Sequence, residues 1–291
     1  MRKTVLITGI NGFLGSQLAK KFSEKYRVIG LEFKLDNLFR ISNESYKIYS
    51  SDVEHSLIFK ENEIYCIIHA ATVYNRIGES IKDVLRTNIF LPINLFEEAN
   101  NHGVKLFINT DSFFNNPSYN YSYLREYTLS KRHAIDWLQL LESSKCKLVN
   151  MIIFHMYGPF DSSSKFVTSI INKLKNNEKK IETTLGEQTR DFVFIDDVVD
   201  AYDFVLESIE FLPDSNMEFE VGLGKEIAIK DFIMTIKNIT KSESRIDFGA
   251  IPYRDNEIMT SKADNLELIN LGWTPKYSID DGIRRILEVE L

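Results

Sequence analysis

Three side chains near the middle of the sequence could together move a proton on and off a substrate oxygen. Tyr127 and Lys131 are four residues apart, a spacing that places both side chains on one face of a helix. A neighbouring cation stabilises a phenolate, so we expect Lys131 to lower the pKa of Tyr127 and fit it for proton exchange. Thr110 follows the predicted strand 104–109, and its hydroxyl can hydrogen-bond the reacting oxygen. These residues are the candidate catalytic group.

Three glycines close to the start of the sequence could hold a phosphate-containing cofactor. The segment Thr8–Gly15 reads T-G-I-N-G-F-L-G and lies between a predicted strand, 4–8, and a predicted helix, 13–23. Glycine there allows a tight turn, close approach of a pyrophosphate and close packing of helix on strand. The sequence has only 13 glycines, so the cluster favours a dinucleotide site over an ordinary turn between strand and helix. The candidate cofactor-binding residues in it are Gly9, Asn11, Gly12, Phe13, Leu14 and Gly15.

Glu32 bears on which dinucleotide would bind. It ends the predicted strand 27–32, where a carboxylate can accept hydrogen bonds from both ribose hydroxyls of NAD and would repel the extra phosphate of NADP. Lys34 and Arg40 follow closely in the sequence and complicate that argument. The residues alone therefore leave the choice between NAD and NADP open.

Asp52 and Val53 allow two interpretations. They follow a weak predicted strand, 46–49, and could contact the edge of an adenine. Alternatively, Asp52 caps the N-terminus of a short helix over 54–61. Both residues are kept as candidate cofactor-binding residues.

The order of the predicted elements favours an α/β fold. Short apolar runs alternate with amphipathic stretches of helical spacing, the pattern of βαβ units in a doubly wound parallel Rossmann sheet. Residues 1–158 are predicted to form the dinucleotide-binding domain and 159–291 a smaller mixed α/β substrate-binding lobe, with the strand and helix within 191–208 packing back onto the first domain. The predicted strands are 4–8, 27–32, 46–49, 64–70, 104–109, 147–154 and 218–221, and the predicted helices are 13–23, 81–101, 121–141, 166–175, 229–239 and 280–289.

Composition argues against several classes of function. The 291 residues include 35 basic and 42 acidic side chains, a net charge of −7, which argues against nucleic acid and anionic membranes as partners. No stretch approaches the roughly 20 apolar residues that a membrane span needs. The two cysteines, Cys66 and Cys146, are too few for a disulfide framework or a zinc cluster. No metal site is therefore expected, and a reducing cytoplasm is the expected location.

Several motifs together resemble the extended short-chain dehydrogenase/reductase family that acts on nucleotide sugars. They are the T-G-x-x-G-F-L-G loop, His69-Ala70-Ala71 at a strand end, Thr110, the Tyr127-x-x-x-Lys131 pair and Tyr157-Gly158-Pro159. The likeness runs over nearly the whole chain. It implies an NAD(P)-dependent enzyme with NADPH as its cofactor, although Glu32 leaves NADH open. It also implies that Ala70, Tyr127 and Lys131 contact the cofactor.

Within that family, the chain is most similar to the branch of 4-ketoreductases that makes CDP-abequose and CDP-paratose, sugars of the O-antigen of lipopolysaccharide. The segments that carry this likeness are 109–114, 186–197 and 248–259. It implies that two arginines pair with the substrate diphosphate and that a histidine lies beside it. Surface salt bridges for the arginines and a hydrogen-bonded structural role for the histidine are the alternatives. The implied substrate-binding residues are Thr110, Asp111, Ser112, His155, Lys165, Phe166, Arg190 and Arg254.

The same resemblance bears on the reaction and on assembly. Dehydratases of the family carry Asp-Glu directly after the catalytic threonine, whereas Asp111 and Ser112 follow Thr110 here, which disfavours dehydration. Reduction of a 4-keto group on a CDP-, dTDP- or GDP-linked deoxysugar is the leading hypothesis. A 4-epimerase with tightly bound NAD and a non-catalytic nucleotide-sensing or scaffold protein on the same fold are the alternatives. Helices 81–101 and 121–141 resemble those of a four-helix interface, so a homodimer is expected.

Overall fold

The computed structural model describes residues 2–42, 44–76, 78–119, 123–141, 145–213 and 216–290. The first two residues of the predicted helix 121–141 lie outside this described part. Among the described residues, no helix is both long enough and apolar enough to cross a bilayer.

Strands and helices alternate through the first half of the chain and become shorter and more mixed in the second. The strands are β1 (Thr4–Thr8), β2 (Arg27–Glu32), β3 (Lys47–Ser50), β4 (Ile64–His69), β5 (Leu106–Ser112), β6 (Lys147–Ile153), β7 (His155–Tyr157), β8 (Lys180–Thr183), β9 (Thr189–Arg190), β10 (Phe192–Phe194), β11 (Met217–Val221), β12 (Ile227–Ala228) and β13 (Arg245–Phe248). The helices are α1 (Phe13–Ser23), α2 (His55–Glu61), α3 (Ile81–Leu85), α4 (Leu91–His102), α5 (Arg125–Leu140), α6 (Phe166–Lys175), α7 (Ile195–Glu207), α8 (Ile229–Thr240), α9 (Leu266–Leu271) and α10 (Ile279–Val289).

A seven-stranded sheet with the order β11-β6-β5-β4-β1-β2-β3 forms the centre of the fold. β1 pairs in parallel with β2 and β4, and parallel pairing continues from β2 to β3 and from β4 to β5. β1 is buried along its whole length, as expected of a strand that helices cover on both faces. The predicted doubly wound Rossmann sheet is confirmed.

The strand order reverses between β1 and β4. In open α/β sheets, ligands bind outside the carboxyl ends of the strands at such a point. Thr8 and His69 end these two strands and lie opposite each other in the ladder. The glycine turn follows β1 and Ala70 follows β4, so the fold brings these candidate cofactor-binding residues to the same edge of the sheet.

Contacts divide the chain into two compact units. The first unit comprises residues 1–116, 123–152 and 199–219, and the second comprises 117–122, 153–198 and 220–291. Most of α7 therefore belongs to the first unit. The separate binding roles of residues 1–158 and 159–291 stay a prediction.

β5 is longer than its apolar pattern predicts. The pattern ends near Ile108, yet the strand continues to Ser112, so Thr110 lies within it. The polar residues Asn109 and Asp111 are buried in this extension, and both bond to Asn150 on β6. Polar side chains that find partners on the neighbouring strand thus extend β5 beyond its apolar run. The short elements β8, β9, β12, β13 and α9 offer no periodic run long enough to be predicted.

The predicted helix 81–101 contains an irregular turn. α3 continues into a π-helical turn, Arg86–Phe90, before α4 begins. Pro92, at the start of α4, has no N–H, and its ring clashes with the carbonyl four residues earlier, that of Asn88. The hydrogen-bond ladder widens by one residue here, and the N–H of Leu91 donates to the carbonyl of Arg86.

A buried carboxylate holds two loops of the second unit. Asp191 is fully buried between β9 and β10. Its Oδ1 accepts a hydrogen bond from the N–H of Leu223 at 2.8 Å, and its Oδ2 accepts from Gly224 at 2.9 Å and Ala263 at 3.1 Å. Burial raises the pKa of Asp191 while these N–H groups oppose the rise. This carboxylate therefore satisfies at least three N–H groups at one point.

We expect Asp191→Ala to lower the free energy of unfolding by about 3 kcal/mol, because buried N–H groups lose their acceptor. Asp191→Asn keeps one acceptor oxygen and should lose less. Urea unfolding can be followed through buried Trp273 in a Trp137→Phe background, since the sequence has only two tryptophans. Asp231→Ala, on an exposed position of α8, is the control. Equal stability of the Asp191→Ala and control variants would contradict the structural role.

Candidate active site

The turn between β1 and α1 requires its glycines. Gly9 has a φ of +64°, and a Cβ on it would lie 2.7 Å from the Cα of Ala71. A Cβ on Gly12 would lie 2.9 Å from the carbonyl oxygen of Gly9, and one on Gly15 would overlap the same oxygen. Gly12 is also the N-cap of α1 and supplies no side-chain cap, a feature of helix starts that bind an anion.

Glu32 lies beside this turn. Its Oε2 accepts a hydrogen bond from the N–H of Asn11 at 3.0 Å, and its Oε1 accepts from the N–H of Phe33 at 2.9 Å. The Asn11 side chain in turn bonds to the carbonyl of Asn37 and the N–H of Arg40. The cleft at this point has a volume of about 430 Å³, within the range of small-ligand sites. Its lining residues are Asn11, Glu32, Phe33, Lys34, Asp36 and Asn37.

Asp52 does not cap a helix. The N-cap of α2 is Glu54, so that interpretation of Asp52 is wrong. Asp52 instead forms an ion pair with Arg86 of the π-helical turn, whose guanidinium lies 5.0 Å from the centre of the Phe33 ring. Asp52 and Val53 line a second cleft of about 360 Å³, and their contact with an adenine stays a prediction.

The three candidate catalytic residues lie on β5 and α5, which contact each other. The Nζ of Lys131 donates a hydrogen bond to the carbonyl oxygen of Thr110 at 2.8 Å. The Oγ1 of Thr110 lies 2.8 Å from the Oη of Tyr202 on α7. The hydroxyl of Tyr127 hydrogen-bonds the side chain of Ser112. α5 thus presents Tyr127 and Lys131 to consecutive parts of β5.

The pKa of Tyr127 differs from the expectation. Burial raises it well above its usual value, the nearby Tyr74 adds to the rise, and the hydrogen bond from Ser112 only partly offsets it. The rings of Tyr74 and Tyr127 lie 4.7 Å apart between centres. Lys131 directs its ammonium at the Thr110 carbonyl, not at the phenol, so the expectation that it lowers this pKa is wrong. Tyr127 is held as a phenol, the form that donates a proton.

Lys131 is a buried cation with a lowered pKa. It is 2% exposed, and desolvation lowers its pKa to about 8, although the negative charge of Asp111 opposes that shift. Burial also lowers the pKa of His69, and the charge of Lys131 adds to the effect. His69 is therefore neutral at physiological pH, and Lys131 carries the positive charge of this part of the site.

The carboxylate of Asp111 is bound within the protein. Its Oδ1 accepts from the N–H of Ser112 at 2.8 Å, and its Oδ2 accepts from the side-chain amides of Asn115 at 2.8 Å and Asn150 at 3.0 Å. It is 2% exposed. These bonds assign Asp111 to the support of β5, and its predicted contact with substrate stays a prediction.

In the second unit, Arg190 is already bonded to protein groups. Its guanidinium donates to Glu257 at 2.5 Å and to the carbonyls of Thr189 at 2.7 Å and Ile258 at 2.6 Å. Both partners of the ion pair have side chains 10% exposed.

His155 lies on β7, with its ring 5.6 Å from that of Phe192. Burial lowers the pKa of His155, and the charge of Arg190 adds to the effect.

The other candidate substrate residues of this unit lie at the start of α6 and in the loop before α9. Lys165 is the N-cap of α6 and forms an ion pair with Asp161 at 3.0 Å. Phe166 begins α6 and is 41% exposed. Arg254 is exposed on its loop. Their roles toward a substrate stay predictions.

The residues at the β1–β4 edge fit a dinucleotide. The glycine turn leaves no room for a Cβ at three positions, the start of α1 has no side-chain cap, and the carboxylate of Glu32 borders the adjoining cleft. A pyrophosphate on the turn and a ribose beside Glu32 are what such a donor set accommodates.

Comparison with known proteins identifies the family. The model of the NAD dependent epimerase/dehydratase family matches residues 5–222. The chain belongs to this family. A CDP-abequose synthase of Salmonella muenchen is 34% identical over 100% of this chain and 99% of its own length. As a member, the chain is an NAD(P)-dependent enzyme of the short-chain dehydrogenase/reductase type, as predicted.

Solved structures of the family share the fold at lower identity. UDP-glucose 4-epimerase from Thermotoga maritima, solved with UDP-glucose, superposes with a TM-score of 0.83 at 22% identity, covering 98% of this chain and 97% of that chain. UDP-glucuronic acid 4-epimerase from Bacillus cereus, solved with UDP-glucuronic acid and NAD, gives 0.82 at 20% identity, covering 98% and 99%. These likenesses confirm the fold.

Sequence reasoning missed two residues of the site. Tyr202 is one of many residues on the buried face of α7. Nothing near it in the sequence indicates its hydrogen bond to Thr110, which lies 92 residues earlier. Asn88 is fully buried in the π-helical turn and bonds to both Val73 and Ser130. Pro92, four residues later, was the signal that could have revealed the irregular turn.

We expect Gly15→Ala to weaken NAD(P) binding at least tenfold, because the added Cβ displaces the Gly9 carbonyl and with it the turn. Titration of each nicotinamide cofactor by calorimetry measures the loss. Gly103→Ala is the matched control: Gly103 has a φ of +71° at the end of α4, and a Cβ there meets nothing within 4 Å. Equal affinities of the two variants would contradict this role of the turn.

Proposed function

We propose that this enzyme is an NAD(P)H-dependent reductase of the 4-keto group of a nucleotide-linked 4-keto-deoxyhexose, in the synthesis of O-antigen sugars. The observation that carries the proposal is 34% identity to a CDP-abequose synthase over the whole length of both chains. A CDP-linked substrate is the first choice, and dTDP- and GDP-linked sugars are the alternatives.

Each candidate residue has a distinct task in this mechanism. The bound nicotinamide supplies the hydride that reduces C4. Tyr127 donates its phenolic proton to the C4 oxygen, so the ketone becomes an alcohol. The Thr110 hydroxyl hydrogen-bonds the same oxygen and polarises the carbonyl. Lys131 holds the nicotinamide ribose, and its hydrogen bond to the Thr110 carbonyl fixes α5 against β5.

The side chains after Thr110 favour reduction over dehydration. Ser112 occupies the position where the resemblance leads one to expect a glutamate base in dehydratases, and it hydrogen-bonds Tyr127. Both carboxylate oxygens of Asp111 accept hydrogen bonds, from Ser112, Asn115 and Asn150. Asp111 and Ser112 therefore do not provide the acid and base that removal of water needs.

The likeness to solved 4-epimerases keeps epimerisation as the second candidate. An epimerase returns the hydride to the sugar and consumes no cofactor, whereas a reductase consumes one NAD(P)H for each sugar reduced. NADPH is proposed from the resemblance, and the carboxylate of Glu32 supports NADH as the alternative. In the second unit, His155, Lys165, Phe166, Arg190 and Arg254 are proposed to bind the nucleotide sugar, with the arginines on its diphosphate.

The decisive experiment follows NAD(P)H absorbance with CDP-, dTDP- and GDP-4-keto-deoxyhexoses and quantifies the sugar products. We expect one cofactor oxidised per sugar, and Tyr127→Phe to lower kcat at least a thousandfold while nucleotide-sugar affinity stays near that of the unmodified protein. Tyr26→Phe, remote on the connection after α1, serves as control. Interconversion of the sugars without cofactor oxidation would establish the epimerase. Near-normal turnover by Tyr127→Phe would contradict its role.

Lys131 should set the alkaline limit of activity. Its pKa is lowered from 10.5 to about 8 by burial, so it is charged below pH 8 and neutral above. We therefore expect kcat/KM for reduction, which reports groups of the free enzyme, to fall as pH rises through about 8. Lys131→Arg keeps its charge and should lose this fall, whereas Lys131→Met should be slow at every pH. A flat profile to pH 9.5 in the unmodified protein would contradict the assignment.

Homodimer formation is also proposed. Large apolar side chains are exposed on the helices for which the resemblance implies an interface: Ile81, Leu85, Phe90, Leu129, Trp137 and Leu140, each between 39% and 76% exposed. Burial of such a group is the usual reason for association. The expected cytoplasmic location stays a prediction, consistent with two buried free cysteines.

A further inference from the structure

Tyr202 bonds to the candidate catalytic residue Thr110 but has no role in the proposed mechanism. It lies in the middle of α7 and is fully buried. Its hydroxyl is 2.8 Å from the Oγ1 of Thr110, whereas the carbonyl of the same threonine accepts the bond from Lys131. Thr110 is therefore held at its main chain from α5 and at its side chain from α7.

The number of protons decides which hydroxyl donates. Burial keeps the pKa of Tyr202 above its usual value, so the phenol holds its proton and must place it on an acceptor. Within the described part of the chain, Thr110 Oγ1 is the side-chain atom that bonds this hydroxyl. If Thr110 donated instead, a phenolic proton would be left unpaired in the core, at a cost of about 1–3 kcal/mol. Donation from Tyr202 to Thr110 avoids that cost.

This direction leaves the proton of Thr110 available. A hydroxyl that accepts one hydrogen bond can still donate its own proton, and acceptance from Tyr202 fixes the rotation of the Thr110 side chain. Polarisation along a chain of hydrogen bonds also makes the second donor stronger. The Thr110 proton is then directed at whatever acceptor the site binds.

We infer that Tyr202 is a positioning residue, which donates a hydrogen bond to Thr110 Oγ1 and thereby directs the Thr110 hydroxyl at the C4 oxygen of the substrate. The inference rests on the proposed function for the identity of that oxygen. Its physical basis, a buried phenol bonded to the candidate catalytic hydroxyl, comes from the geometry alone. Because Tyr202 acts through Thr110, its effect must vanish when Thr110 has no hydroxyl.

A double-mutant cycle tests this dependence. Tyr202→Phe keeps the buried ring and should lower kcat about 3- to 10-fold, the equivalent of one hydrogen bond, with KM for the nucleotide sugar changed less than about twofold. In a Thr110→Val background the same substitution should change kcat by less than about 1.5-fold. Tyr26→Phe, which removes the hydroxyl of another tyrosine of the first unit, is the control: it should match the unmodified protein when made alone and match Thr110→Val when made in that background.

The outcomes separate this inference from the proposed function. An active unmodified protein with unchanged kcat in Tyr202→Phe, or with equal losses in both backgrounds, overturns the role of Tyr202 alone. If the unmodified protein turns over none of the nucleotide sugars, the proposed function falls and the inference falls with it.

A 3-fluorotyrosine at position 202 keeps the ring and strengthens the donor, so kcat should stay at or above that of the unmodified protein. A loss as large as that of Tyr202→Phe would overturn the assigned direction of donation.

Discussion

The hydrogen bond from the Lys131 ammonium to the Thr110 carbonyl joins the two elements on which the candidate active site is built. Removing an ammonium from water costs several kcal/mol, and this one is 2% exposed. This cost lowers the pKa of Lys131, and the negative charge of Asp111 offsets part of the shift. Because the bond is at the main chain of β5, it fixes α5 against the strand without occupying the Thr110 hydroxyl.

The same burial explains why the acid–base character of the site is split between two residues. Desolvation acts on both side chains but in opposite directions, since it favours the uncharged form of each. It raises the pKa of Tyr127 and lowers that of Lys131. The phenol thus keeps its proton while the ammonium approaches the point of losing one. A phenol that keeps its proton suits a step that donates a proton to a substrate oxygen.

Features that depend on near neighbours in the sequence were predictable, and features that depend on distant ones were not. The glycine turn follows from spacing alone, because a missing Cβ acts within a few residues of backbone. The parallel sheet follows from short apolar runs separated by helices. The direction of the Tyr127 pKa did not follow, because i and i+4 spacing brings Lys131 close without saying where its ammonium points. The partner of Arg190 is likewise 67 residues away, at Glu257, and residue type cannot reveal it.

The π-helical turn at Arg86–Phe90 makes the length of this segment matter as much as its composition. A π turn holds one more residue than a regular helix of the same span. In this turn the side chain of Asn88 accepts a hydrogen bond from the N–H of Val73 and donates one to the hydroxyl of Ser130. Ser130 in turn donates to the carbonyl of Tyr127. Deleting one residue would restore a regular helix but rotate Asn88 by about 100°. A family member that lacks this extra residue would therefore be expected to lack the bond from Asn88 to Ser130 on α5, the helix that carries Tyr127. An alignment of the family would show such a chain by a one-residue gap at this point.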